Sequence, residues 1–537
     1  MTDRVVDDGR AFPSTLRRHP AMTVAVVTVV AVVALVASGF ALPATAPAYP
    51  TGDHAVLELY TLYATESPWP LGPYSRFAWH HPGPLFFYWE LPWHLASGQR
   101  TLGMQAGALA LAVVSLGAML ALLVRFTPAM VSLSAVLAFG VYTLRLHALS
   151  TDFWNPLVVV LPMTLLVVLG AGLACRRWRQ MPWFVFVASF LVQTHVSVVP
   201  CVVAVTTLSL LMAWRDRHAD EAHAEALRSS TLAITALVLA AAWALPIFDT
   251  LLHWPGNLGN LATFFLEPAT PVPWSMAVAS WSGLVSAVLR PGLVIPGGDA
   301  HVAAPAALPV FLAVLQVVWL MGVVWGARRT HQRMLAALGV LGVAVVLVAL
   351  VSITRVHGPV GDYLTFWLSA VAVLNWSVAA GGTIAIVTRS QATVVGPALS
   401  VARAAAVAVV ALVAGDGVRS LAGAEHDHRA PTAMSAPQVR DLTDAVEARI
   451  RSDGAAHPRF HIEGGVWPES AGVVLQLRKR GVPVTVDGDV AFVFSAPPTS
   501  QDDAFFVFTD DAGAAALGPS ALTVARAGRV VVAAQPH

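Results

Sequence analysis

The residues able to do chemistry fall in a few short polar islands of an otherwise apolar chain. The most specific is Thr51-Gly52-Asp53-His54-Ala55-Val56-Leu57-Glu58, followed by Arg76-Phe77-Ala78-Trp79-His80-His81-Pro82-Gly83-Pro84. A carboxylate such as Asp53 can take a proton from a hydroxyl. Glu58 lies five residues on, off the three- or four-residue spacing that makes helical neighbours, so the two do not read as a bidentate pair. Glu58, His80 and His81 are expected to line the same cavity. Further islands hold Arg145 and His147, Asp152, His195 beside Gln193-Thr194, and Arg355 and His357 before Asp362. Asp152 is a candidate second carboxylate and His195 a candidate cavity residue. Arg145, His147, Arg355 and His357, with His195 as a further donor, could stabilise a leaving phosphate. An arginine at membrane depth costs ~2.5–3.5 kcal/mol on insertion scales unless it meets an anion or water. Structural alternatives stand beside each role. Asp53 or Asp152 could cap a helix, Arg145 could snorkel to headgroups, and Arg355 could pair with Asp362.

These islands must be positioned by membrane helices. Of 537 residues, 56% are hydrophobic and only 12% charged, against about a quarter charged in soluble domains. That excludes a soluble globular enzyme and a disordered chain. The 32 basic and 31 acidic residues nearly cancel, leaving no field for nucleic acid. Cys175 and Cys201 sit in or beside apolar runs and support neither a disulfide framework nor a thiolate metal site.

A basic N-terminal segment (1–19, with Arg4, Arg10, Arg17 and Arg18) precedes the apolar run Ala21–Leu42 and reads as cytoplasmic. That run exceeds a signal-peptide core of ~7–15 residues, so it reads as a retained anchor. Further spans are expected near 102–124, 130–149, 157–174, 182–194, 198–214, 230–248, 306–326, 334–353, 362–379 and 404–421, about eleven in all. Arg125, Arg176-Arg177-Trp178-Arg179, Arg215/Arg217/Arg228, Arg328/Arg329/Arg333 and Arg389/Arg403 then face inward. The polar islands and a long first outer loop (43–101) face outward. The stretch 182–214 is too long for one helix and short for two. It predicts two short helices meeting near His195, or a re-entrant segment.

From Ala422 the composition becomes that of a soluble α/β domain (422–537), expected outside the membrane. Pro437–Arg451 and Glu469–Arg480 read as helices, the first with Ser435 as N-cap. Phe460–Ile462, Val482–Val486, Ala491–Phe494, Phe505–Phe508 and Val530–Val532 read as strands. Asp487-Gly488-Asp489 spells a DxD triplet but sits where Asp-Gly signals a hairpin. Glu425-His426-Asp427-His428 reads as a solvated linker, and Trp254-Pro255-Gly256-Asn257 as part of an acceptor-side wall.

The first span, the Gly-Asp signature in a long outer loop and the aromatic His-Pro-Gly-Pro stretch resemble the GT-C glycosyltransferases. The branch is that of protein O-mannosyltransferases, aminoarabinose transferases and actinobacterial cell-wall glycosyltransferases. The resemblance implies an all-α polytopic membrane module (20–421) with a small C-terminal domain, in the cytoplasmic membrane. It implies transfer of a sugar from a polyprenyl-phosphate donor to an envelope acceptor (glycan, glycolipid or protein) on the outer face. Asp53 matches the acidic residue proposed to activate or position the acceptor. His81 and Pro82 match the His-Pro element of the cavity. Where many relatives carry a second carboxylate this chain has His54, which weakens metal binding by adjacent acids and leaves a divalent cation an open cofactor. The alternative is a transporter or flippase of a lipid-linked envelope precursor, which would favour midplane charges and repeated halves; neither pattern is visible.

Overall fold

The computed structural model describes residues 48–216, 227–267, 271–295, 305–388, 395–422, 434–495 and 504–535. The expected first span Ala21–Leu42, the basic segment before it, Arg217, Arg389 and the Glu425–His428 linker lie outside the described residues. The long first loop carries α1 (Gly52–Glu66) and α2 (Leu85–Ala96). The bundle follows as α3 (Thr101–Phe126), α4 (Ala129–Arg145), α5 (Asn155–Ala174), α6 (Met181–Thr194), α7 (Val199–Arg215) and α8 (Ser229–Leu252). Next come α9 (Gly256–Leu266) and α10 (Trp274–Val285), and then α11 (Ala307–Arg329), α12 (Arg333–Ile353), α13 (Trp367–Val387) and α14 (Val395–Ala422). Each of the ten expected spans among the described residues is therefore helical. Eight of these helices are long and apolar enough to cross a bilayer, α7 when taken with the turn Val196–Val198 before it, while α4 and α6 are shorter, at 17 and 14 residues. The chain is a multi-pass membrane protein.

The stretch 182–214 forms two helices. His195 is extended (φ −155°, ψ 119°), a tight turn Val196–Val198 follows, and Pro200 sits in the first turn of α7, where its missing N–H costs nothing. Helix α5 is apolar all round and its spanning window is wholly buried, whereas α8, α11 and α14 leave most of theirs for lipid. Span 362–379 shifts to α13, because Asp362–Leu364 forms a tight turn before it.

The C-terminal unit begins with α15 (Ala436–Asp453), closed by a Ser435/Gln438 capping box and by Gly454 in the left-handed region. It continues with β1 (Pro458–Ile462), α16 (Trp467–Lys479), β2 (Thr485–Asp487), a short turn α17 (Ala491–Phe494), β3 (Ala504–Thr509), α18 (Asp511–Ala516), β4 (Leu522–Ala527) and β5 (Val530–Gln535). The sheet order is β2-β1-β3-β5-β4, parallel in β2-β1-β3 and antiparallel beyond. Two expectations are corrected. Ala491–Phe494 is helical, bounded by Gly488 (φ 90°) and Ser495 (φ 50°), and pairs with no strand. Asp487-Gly488 therefore makes no hairpin, and Asp487 instead accepts from Arg459 (2.6 Å) and pairs with His461 (2.7 Å). An apolar run of four is ambiguous by periodicity, which explains the first error.

This unit shares one apolar core with the long first loop. Leu57, Tyr60 and Phe86 from α1 and α2 lie in the same buried cluster as Val439, Phe460, Val474 and Phe506. An ionic knot pins the joint. Glu58, fully buried on α1, pairs with Lys479 of α16, accepts from Thr101 Oγ1 (2.7 Å) and meets His94 Nε2 at 3.2 Å. Lys479 is the only lysine in the chain. Burial alone would raise the Glu58 carboxyl, but the Lys479 ammonium and His94 bring it down to about 2. Breaking a buried pair from one side costs ~3–5 kcal/mol because a bare charge is left behind. Lys479→Met should therefore lower stability by about that amount, and Glu58→Gln/Lys479→Met should recover most of it, both read by denaturant unfolding of purified protein.

Candidate active site

Gly52 opens α1 in the left-handed region (φ 54°), which places Asp53 in the first helical turn. There the helix N-terminus favours a negative charge. Asp53 does not spend its carboxylate on capping. Trp154 Nε1 donates to Oδ2 at 2.7 Å, and the Tyr74 hydroxyl donates to Oδ1. Burial and the Asp53 charge push the Tyr74 phenol well up, so it stays a donor. Both carboxylate oxygens are thus aimed by aromatic side chains from other loops. The indole of Trp154 also packs on Tyr363, with ring centroids 5.1 Å apart.

Beside it, His54 Nε2 meets Asp152 Oδ1 at 2.8 Å, and the same oxygen accepts from the Trp154 backbone N–H at 2.9 Å. Asp152 therefore both shapes the turn into α5 and charges its neighbour. Burial works against the His54 imidazolium, yet Asp152 outweighs it and the His54 pKa is raised. Around Asp53 the protein supplies two aromatic hydrogen-bond donors, and the neighbouring His54 is already engaged by Asp152. Among the described residues no three His, Cys, Asp or Glu side chains converge as a metal cage would require. A divalent cation does not fit this donor set, and no step is derived through one.

The His-Pro-Gly-Pro stretch is held on the other side. His80 gives its backbone N–H to Asn257 Oδ1 (2.9 Å), and Asn257 Nδ2 returns bonds to the carbonyls of His80 (2.9 Å) and His81 (3.2 Å). His80 Nε2 lies 2.9 Å from Ser495 Oγ and 3.3 Å from the Tyr60 hydroxyl. His81 Nδ1 accepts from the Val196 N–H (3.2 Å), and its ring lies 4.8 Å from that of His195. His195 meets Ser197, which in turn accepts from Trp367 Nε1 at 3.3 Å. Gly83 is required here: a Cβ would stand 2.4 Å from Gln193 Oε1 and 2.7 Å from Pro246 Cγ. An antiparallel bridge between Tyr74 and His80 joins this group to the one around Asp53.

Asp53, His54, Asp152, His80, His81 and His195 therefore occupy one end of the bundle, linked through Tyr74, Trp154 and Trp367. Other candidates lie apart. Glu58 belongs to the ionic knot. Arg145 donates to the carbonyls of Val288 (2.9 Å) and Arg290 (2.7 Å), fastening the turn after α10. His147 is exposed on the turn after α4. Arg355 is exposed, while the half-buried His357 ring packs against Phe264 at 4.4 Å. Arg76 ties this turn to the first loop by donating to the carbonyls of His357 (2.9 Å) and Pro359 (3.1 Å). The opposite end of the bundle gathers Arg215, Arg328, His331 and Arg333 around a cavity of 230 Å³.

Tyr74, Trp154, Asn257 and Arg76 were not anticipated as site-forming. Only the Trp254–Asn257 wall hinted at one of them.

No family model and no curated protein matches the chain. Solved structures do, and two of them cover nearly its whole length. One is ArnT from Cupriavidus metallidurans bound to undecaprenyl phosphate, at TM-score 0.53 and 14% identity, covering 96% of this chain and 98% of that one. The other is the same protein in the apo state, at TM-score 0.51 and 13% identity, covering 95% and 97%. The chain has the fold of ArnT. In it the polar helix ends, the first long loop and the C-terminal unit close on one another around Asp53.

Burial brings His80 down to about 4, opposed only weakly by Asp249, and burial with the neighbouring His195 and His80 holds His81 well down. A histidine whose folded pKa is depressed stabilises fully above ~6.5 and loses that contribution as pH falls toward the folded value. His54 is the opposite case: its contribution is complete below ~6.5 and fades as pH rises through its raised pKa. Melting temperature followed from pH 5 to 9 should fall on both sides of neutrality. Between pH 6.5 and 5 the acid limb should amount to at most about 2 kcal/mol per buried histidine. His80→Gln should flatten that limb, and His54→Gln the alkaline one.

Proposed function

We propose that the chain is an integral-membrane glycosyltransferase. It moves a sugar from a polyprenyl-phosphate donor to a hydroxyl acceptor of the cell envelope, on the outer face of the cytoplasmic membrane. The observation that carries this reading is Asp53, a carboxylate aimed by two aromatic donors at the loop-covered end of a GT-C fold. The undecaprenyl phosphate bound by the ArnT structure supports a lipid-phosphate donor here.

On this reading Asp53 accepts the proton of the acceptor hydroxyl as its oxygen bonds to the anomeric carbon. The bond from that carbon to the phosphate oxygen breaks with its electron pair, and the lipid phosphate leaves as an anion. Tyr74 and Trp154 hold the two carboxylate oxygens of Asp53 in place for that transfer. Arg355 and His357 sit on the turn that Arg76 fastens to the first loop, and are offered to the leaving phosphate. Arg145, committed to two carbonyls, acts as a positioning residue for the turn after α10. The N-terminus and the arginine-lined end are cytoplasmic, by the excess of arginine there.

Purified protein supplied with polyprenyl-phosphate sugars and membrane glycan acceptors tests the reading. Removing a general base typically costs 10²–10⁴-fold, so Asp53→Asn should lower kcat by about that factor at an unchanged melting temperature. Turnover equal to wild type in Asp53→Asn would defeat the assignment of the base. Transport of a lipid-linked precursor in proteoliposomes without sugar transfer would defeat the enzyme.

A further inference from the structure

The joint between the first loop and the C-terminal unit encloses a cavity of 260 Å³ that the chemistry above leaves unused. One wall is Tyr63 at the end of α1 with Trp69 beyond it. The facing wall is Arg478 of α16 with Val484 and Thr485 at β2, and Ser495 closes the inner end. Glu66, at the exposed rim, accepts from Arg478 Nη2 through both carboxylate oxygens (2.9 and 2.6 Å). The Arg478 guanidinium also lies 5.5 Å from the centre of the Tyr63 ring.

We propose that this cavity is a subsite for one neutral sugar unit of the acceptor glycan. The proposal rests on the glycosyltransferase reading and deepens it. Three features select the ligand class. The volume is slightly below the ~300 Å³ lower bound of drug-sized pockets, which suits a single sugar ring. Aromatic side chains offer apolar faces with polar edges, which match the C–H face and hydroxyl rim of a sugar. The Glu66–Arg478 pair cancels its own charge and presents planar donors and acceptors together, so a polyol is favoured over a phosphate.

Two donors in these walls, Trp69 Nε1 and Arg478 Nε, are buried without an acceptor among the described residues. Leaving such a group unpaired costs ~1–3 kcal/mol, a cost that a hydroxyl-rich ligand would relieve after a small side-chain shift. The inner end reaches the site itself, because Ser495 Oγ lies 2.9 Å from His80 Nε2. A glycan seated here would therefore run toward the His-Pro stretch.

The test uses the full chain in nanodiscs, without donor, and measures saturation transfer from protein to free ligand by NMR. The probes are an α-mannobiose and an α-arabinofuranobiose, with inorganic phosphate as the anion control. At least one disaccharide should bind. Trp69→Leu should abolish that binding, and Glu66→Gln, at the exposed rim, should weaken it at least tenfold at an unchanged melting temperature, while Asp53→Asn should bind as wild type. Where transfer is measurable, Glu66→Gln should raise KM for a disaccharide-bearing acceptor and leave kcat near wild type. Failure of both disaccharides to bind, binding that survives both pocket substitutions, or preferential binding of phosphate would overturn the subsite. Disaccharide binding that needs Trp69 in a protein without transferase activity would sustain the subsite and overturn the reading beneath it.

Discussion

A buried carboxylate on α1 must be neutralised, and the group that does this comes from the far end of the chain. Glu58 has no exposed surface, and the Lys479 ammonium, His94 and the Thr101 hydroxyl surround it. Such a knot gains little net stability, since desolvating both ions offsets much of their attraction. What it confers is register. It fixes α1 simultaneously against α2, the start of α3 and α16. Asp53, just over one helical turn earlier, inherits that placement.

Fixing α1 explains how flexible loops hold a defined geometry. Loops ordinarily carry function on a rigid scaffold, but here the loop is made part of the scaffold. The aromatic cluster of Tyr60, Tyr63 and Trp69 and the shared core with the sheet bury its inner face. Asn257 and Gln193 then stitch the His-Pro-Gly-Pro stretch to the helix ends. Three outlying segments (the turn before α5, the break at His195 and the 354–367 turn) each contribute aromatic or imidazole side chains. None of them could form the site alone.

The spans and the break at His195 were legible because a bilayer imposes length and apolarity, and a polar notch stands out against both. The island around Asp53 was legible because charge is scarce. Its partners were not. Tyr74 and Trp154 lie 21 and 101 residues from Asp53, and aromatic residues in loops look the same whether they anchor an interface or aim a carboxylate. Arg145 shows another limit. Its partners are backbone carbonyls, which every residue possesses, so no residue type could announce them. Glu58 was expected among the cavity residues because its countercharge, Lys479, is remote in sequence and nothing local announces the pair. Which helices face lipid was equally hidden, because hydropathy treats a protein neighbour and a lipid tail alike.

The shared core also sets an order of events during synthesis. Glu66 and Arg478 are 412 residues apart, and ribosomes add ~5–20 residues per second. The first loop is therefore synthesised on the order of 20–80 s before its countercharges and core partners exist. During that interval Glu58 stays hydrated and the apolar face of α1 is bare, a state in which membrane chaperones or the lipid surface must shield it. The C-terminal unit completes the first loop, so a nascent chain cut short before Lys479 carries every expected span yet has no finished site.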